Sequence, residues 1–239
     1  MKRALIPVII CLLFLSQPFA QKKGGSPAQD ERVMQTLAVF SGERKIISDF
    51  VLRIRWMQGV DILTALTEGM KVTRMDVAYE NDQFKFFKVV RDNKDELTVK
   101  VRRDSFSISH VVKGNSSLPR KGDEIILEPN AYGEYAFLLS HYNAAKGGEQ
   151  TFRALVPSEH RIIPVTVERH GSDRFQCGEV MIDAVHHKVT LEKKDLVHVW
   201  SLRDGKVIAF RIPSKGLCVV DEAYENLHQN VRALALGGL

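Results

Sequence analysis

The feature that most constrains this chain is a hydrophobic period of two, repeated along almost its whole length. In "DFVLRIRWM", Phe50, Leu52, Ile54 and Trp56 share one face while Arg53 and Arg55 take the other; in "ELTVKVRR", Leu97, Val99 and Val101 do the same. Successive side chains of a strand point to opposite faces, so such alternation marks half-buried strands. Further alternating or β-branched runs occur at "KVTRMDVAYE", "FKFFKVV", "SFSISHVV", "DEIILE", "RIIPVTVER", "GEVMIDAV", "HKVTLE", "LVHVWSL" and "KVIAFRI". They are punctuated by "END", "RDNKD", "KGNSSLPRKGD" and "RHGSDR", which have turn composition. About a dozen strands with short connections imply an antiparallel meander rather than βαβ units. Two stretches depart from the pattern. "ERVMQTLAVF" places Val33, Met34, Leu37 and Phe40 at helical spacing before Gly42, which predicts a short N-terminal helix. "AYGEYAFLLSHYNAAKGGEQ" spaces Tyr135, Leu138, Leu139 and Tyr142 likewise before Gly147-Gly148, which predicts a helix packed on the sheet. The predicted fold is mostly β: a strongly curved, half-barrel-like antiparallel meander sheet with one packed helix and a short N-terminal helix.

The ends of the chain read differently. Residues 1–20 have the layout of a secretory signal, with Lys2 and Arg3, the apolar run "ALIPVIICLLFL" and then "SQPFA". A retained anchor is the other reading, but the run is shorter than the ~20 apolar residues a spanning helix needs. Cleavage near Gln21 then places the mature protein in the periplasm or outside the cell, with no transmembrane span. Residues 21–30 form a polar, flexible leader, residues 31–221 the curved sheet domain, and residues 222–239 a tail that reads as helical or disordered. Loss of Lys2 and Arg3 lowers the formal net charge from +5 to +3, spread along the chain, which argues against a nucleic-acid partner. The 44% hydrophobic composition supplies a core. After Cys11 is removed, Cys177 and Cys218 remain. In an oxidising compartment they can pair, for roughly 3–4 kcal/mol on the chain-entropy estimate, or stay as two buried thiols.

"DAVHHKVTLEKKDLVHVW" holds three histidines, yet strand geometry sends His186 and His187 to opposite faces, so they cannot share an ion without a bulge. His187 shares a face with Val189 and Leu191; His186 falls with Lys188, Thr190 and Glu192 on what reads as the wet side; His198 lines up with Leu196, Trp200 and Leu202. These are read as structural histidines, and no metal is expected. Asp204-Gly205 in "RDG" suits a hairpin turn. The chain has no G-x-S-x-G elbow, S-x-x-K, C-x-x-C, G-x-G-x-x-G or phosphate-cradling loop, so neither a cofactor nor a catalytic residue is assigned. Acid pairs such as Glu128 with Glu134 carry no weight in a chain that is 26% charged, and read as solvated surface. "FKFFKVV" puts Phe84 and Phe86 on one face and Phe87 and Val89 on the other. That fits a sheet apolar on both sides, one of them lining a cavity, or equally a β-bulge that switches phase with no cavity.

From Ala131 onward, "AYGEYAFLLSHYNAAKGGEQTFRALVP", "CGEVMIDAV" and "HVWSLRDGKVIAFRI" follow one another as a helix, a return strand and a late hairpin. In this order they resemble bacterial cell-envelope proteins known only as a domain of unknown function, whose curved sheet is similar to that of the periplasmic lipoprotein-carrier proteins. The resemblance matches Gly178 to the glycine before the middle strand, Trp200 to the late tryptophan and Asp204 to the acid of the turn. It departs at Ala209, where the family usually has proline, and at Cys177 and Cys218. It implies a concave apolar surface and no catalytic residue. The resulting expectation is an exported, non-catalytic carrier or binding protein for an apolar, lipid-like envelope ligand, with Ile54, Trp56, Phe84 and Phe86 lining the groove. An envelope scaffold that docks partner proteins through its sheet edges and an unrecognised hydrolase are the alternatives.

Overall fold

A computed structural model describes residues 31–56, 59–68, 71–81, 83–92, 94–128 and 131–236; the expected signal and leader, residues 1–30, lie outside them. The strands are β1 (Glu31–Ser41), β2 (Arg44–Trp56), β3 (Gly59–Glu68), β4 (Lys71–Glu80), β5 (Gln83–Arg91), β6 (Lys94–Val101), β7 (Ser105–His110), β8 (Gly114–Pro119), β9 (Glu124–Ile126), β10 (Glu149–Val156), β11 (Arg161–Cys177), β12 (Val180–Leu191), β13 (Asp195–Ser201), β14 (Val207–Ile212) and β15 (Leu217–Asp221). Helix α1 (Gly133–Ser140) lies between β9 and β10, and α2 (Leu227–Leu236) follows β15. All the strands belong to one sheet, in the order β8 down to β1, then β15 down to β9. Pairing is antiparallel throughout except between β9 and β10. The two edges, β8 and β9, are consecutive in sequence, so the sheet curves round towards its own start without closing. Side chains bridge the gap: Ser116 Oγ lies 2.8 Å from His160 Nδ1, and Lys113 Nζ donates to the Ser158 carbonyl at 2.5 Å. No helix among the described residues is long and apolar enough to cross a membrane.

The concave side is packed with Tyr79, Phe84, Phe87, Phe106, Phe137 and Phe210, and α1 caps it. The reverse face of β11–β15 carries a second core of Phe175, Ile182, Ala184, Trp200 and Val220, covered by Leu227 and Val231 of α2. Strands sandwiched this way are apolar on both faces and lose their alternation. That corrects the first expectation: "ERVMQTLAVF" is β1 and not a helix, because Leu37 and Val39 enter one core while Phe40 packs against the other. The predicted packed helix is present but ends at Ser140, whose hydroxyl donates to the Phe137 carbonyl; Gly147 and Gly148 belong to the following loop. "RHGSDR" is no turn either. It lies within β11, where the register slips between Arg169 and Gly171. Val165 and Val167 face the concave core, whereas Phe175 and Cys177 beyond the slip face α2. "KGNSSLPRKGD" contains β8, and β3 and β15 were missed. The expected "RDG" turn joins β13 to β14, with Gly205 at φ +82° and its N–H donating to the Leu202 carbonyl.

Candidate functional site

The predicted groove does not form from the residues named for it. The side chains of Ile54 and Trp56, on β2, lie outside the described residues. Phe84 and Phe86 do not share a face. Tyr79 pairs with Phe84 and Ala78 with Phe86, leaving Lys85 as the extra residue of a bulge. Phe84 is therefore core, 6.0 Å from the Tyr79 ring and 5.8 Å from Phe106, while Phe86 is half-buried on the other face. The expected disulfide is also absent. Cys177 and Cys218 are free and buried. Three strands separate β11 from β15 in the sheet, four steps of about 4.8 Å each along it, and α2 covers the core that both thiols join.

A groove does open at the rim of the concave side, between the C-terminal half of α1 and strands β11–β14. It consists of two adjoining recesses of about 310 and 700 Å³ that share Arg169, Val185 and Arg203. Sheet register brings these groups together: Arg169 pairs with His187, Ser172 with Val185, and Val185 with Ser201. Ala136 and Leu139 of α1 and Leu202 of the β13–β14 turn make the smaller recess apolar on two sides. The larger mixes Ser172, Arg174 and Asp183 with Ala184 and Val185 on its wall.

His187 lines the smaller recess. It is 7% exposed, its Nδ1 has no hydrogen-bond partner, and its ring meets Tyr142 edge-on at 5.7 Å. Burial first, and the Arg169 charge second, hold the imidazole neutral, with a pKa of about 4. A buried polar atom without a partner costs stability, so an orphan beside a recess calls for an explanation. The charges around it are unevenly committed. Asp183 is 2.6 Å from Arg174; Asp173 accepts the Trp200 Nε1–H at 2.7 Å; Asp204 accepts the Lys206 N–H at 2.9 Å. Among the described residues no carboxylate lies within ion-pair distance of Arg169 or Arg203. Neither arginine was singled out from sequence, because one sits beside the misread turn and the other in a true one. His187 was read as a structural histidine of the sheet, with a metal ligand as the rejected alternative.

Two further polar clusters are buried. On the α2 side, His186 Nδ1 lies 3.1 Å from Asp173, its Nε2 2.9 Å from His198 Nδ1, and its ring stacks on Trp200 at 4.6 Å. His186 was expected on the wet side; it is 9% exposed, because Ile182 and Ala184 on its face belong to the second core. Burial outweighs Asp173 and lowers its pKa to about 4, so the Asp173 contact is a hydrogen bond from a neutral ring. Among the described residues no group of three or more His, Cys, Asp or Glu is arranged to hold a metal ion. The second cluster is Glu128 and Glu134, read from sequence as solvated. They are 7% and 1% exposed. Glu134 Oε2 accepts the Glu128 N–H at 2.8 Å and Glu128 Oε2 the Ser158 N–H at 3.0 Å, which ties the start of α1 to the 3₁₀ turn Pro157–Glu159. Burial raises both carboxyls, Glu128 to about 7.

No family model matches the chain. No curated protein matches it either. Among solved structures, a Brucella abortus protein described as a beta-barrel-like protein of domain of unknown function DUF1849 is similar at 12% identity. The match covers 80% of this chain and 94% of that one, with a TM-score of 0.45. The likeness is to an uncharacterised β-rich domain, and no functional argument rests on it.

Proposed function

We propose that the protein is a non-catalytic binding protein for an amphiphilic, lipid-like ligand of the cell envelope, held in the groove between α1 and β11–β14. The observation that carries this reading is the groove itself, two adjoining recesses of about 310 and 700 Å³ that share Val185 and combine apolar side chains of α1 and of the β13–β14 turn with the guanidinium groups of Arg169 and Arg203. The recess has the size and mixed lining of a small-molecule site. The secretory layout of residues 1–20 supports an envelope location. An apolar stem would lie along Leu139, Val185 and Leu202, and about six buried methylenes at roughly 0.8 kcal/mol each, ~5 kcal/mol together, set an expected Kd of about 0.3 mM for a ten-carbon chain.

Calorimetric titration of residues 21–239 with decanoate tests this. Saturable binding that is lost in Val185→Trp, which fills the point shared by both recesses, supports the reading. No saturable binding below about 1 mM, or binding indifferent to Val185→Trp in a variant with wild-type unfolding, overturns it.

A further inference from the structure

We infer that Glu128 and Glu134 form a proton-operated latch across the seam between β8 and β9: with Glu128 protonated the two edges are held together, and when it ionises they part locally while the rest of the sheet stays folded. The inference is independent of the binding reading above. No strand pairing joins β8 to β9, the two ends of the sheet. A chain of side-chain hydrogen bonds spans the seam instead, and it starts in the core. Glu134, in the first turn of α1, accepts the Glu128 N–H; the Glu128 carboxyl accepts the Ser158 N–H; the Ser158 carbonyl accepts from Lys113 in the β7–β8 turn. Ser116 on β8 makes a second crossing to His160. Glu134 Oε1 and His160 Nε2 are buried without a partner among the described residues, so the closed seam leaves polar groups unsatisfied at both crossings.

The elements packed on Glu128 give its charge little support. A carboxylate there meets Glu159 of the 3₁₀ turn and the buried Glu134 of α1, with Lys113 as the opposing cation. Tyr79 of β4, whose hydroxyl accepts the Ile126 N–H, borders Glu134. Burial, the largest cause, raises the Glu128 pKa to about 7. Parting the seam lets water reach the carboxyl, and it breaks side-chain hydrogen bonds but no strand ladder, which places it at the low-stability end of the structure. The closed seam binds the Glu128 proton more tightly than the open one, where the group titrates near 4.5, so raising the pH between these values favours opening. His160 acts in the opposite sense: burial first, then His110 and Lys113, lower its pKa, so it takes up a proton on opening in acid.

Amide hydrogen exchange of residues 21–239, followed by NMR, tests this at Ser158, whose N–H Glu128 holds, and at Val199, which is paired within the sheet between β12 and β14. The Ser158 amide should exchange faster than Val199 and with almost no dependence on low urea, the mark of a local opening. Its opening equilibrium, divided by that of Glu128→Gln, in which His160 titrates alike, should rise about fortyfold from pH 5 to pH 7 and level off above, as values of 4.5 open and about 7 closed require. Lys113→Met, which removes one crossing, should speed Ser158 exchange severalfold at pH 7 and leave Val199 unchanged. A Ser158 amide that exchanges only together with Val199, with the same urea dependence, overturns the latch. So does a ratio to Glu128→Gln that does not change with pH, or a Lys113→Met variant whose Ser158 amide exchanges as in the wild type.

Discussion

Replacing Glu128 by Gln should make the protein more stable in alkali and leave it nearly unchanged in acid. The Glu128 carboxyl is 7% exposed and accepts the Ser158 N–H; Glu134 and Glu159 repel its charge and Lys113 attracts it. Burial dominates and raises it from 4.5 to about 7. The folded chain therefore binds this proton more tightly than the unfolded chain. Its contribution to stability is fully present below pH 4.5, falls as pH rises, and is lost above about pH 7. One pKa unit is worth about 1.4 kcal/mol, so the loss amounts to about 3 kcal/mol. Gln keeps an oxygen acceptor for Ser158 and cannot ionise. Urea unfolding of both proteins from pH 4 to 8 gives the difference in stability at each pH, which cancels the opposing titration of His186 and His187. The difference should be near zero at pH 4 and reach about 3 kcal/mol in favour of Gln at pH 8. A difference that does not vary with pH, or a Gln variant that is the less stable at pH 8, would refute the reasoning.

Other consequences follow from the same packing. Phe84→Ala should cost about 3–5 kcal/mol and Phe86→Ala less than about 1.5 kcal/mol, because only the former empties a core site; equal costs in denaturant titrations would contradict the bulge at Lys85. His186 and His187 should stay neutral down to about pH 5 in NMR titrations, with values near 4; their contribution to stability is present above pH 6.5 and lost as pH falls towards 4, and a midpoint near 6.5 would show that they are solvated. Burial raises both Cys177 and Cys218, the latter to about 11, so a thiol reagent should find two free thiols in residues 21–239 after unfolding without reductant and almost none before; a chain silent in both states would carry the disulfide.

The sequence by itself determined that this chain is built of antiparallel strands, since a period of two in Phe50–Trp56 or Leu97–Val101 has no other stable use. It also placed His187 on the same face as Val189, and Gly205 in a turn that needs a positive φ. Only the tertiary structure decided which face of each strand is inside. The extra residue at Lys85 and the slip at Arg169–Gly171 each invert the phase of all that follows, and nothing local distinguishes such a bulge from a turn or an unbroken strand. The same limit made β1 look helical, because burial on both faces erases the alternation by which strands are read. Glu128 and Glu134 have the composition of surface; their burial depends on Ser158 and on the fit of α1 over the sheet. The groove likewise joins Leu139, Arg169, Val185, His187 and Arg203, which become neighbours only when α1 docks and β11–β14 pair.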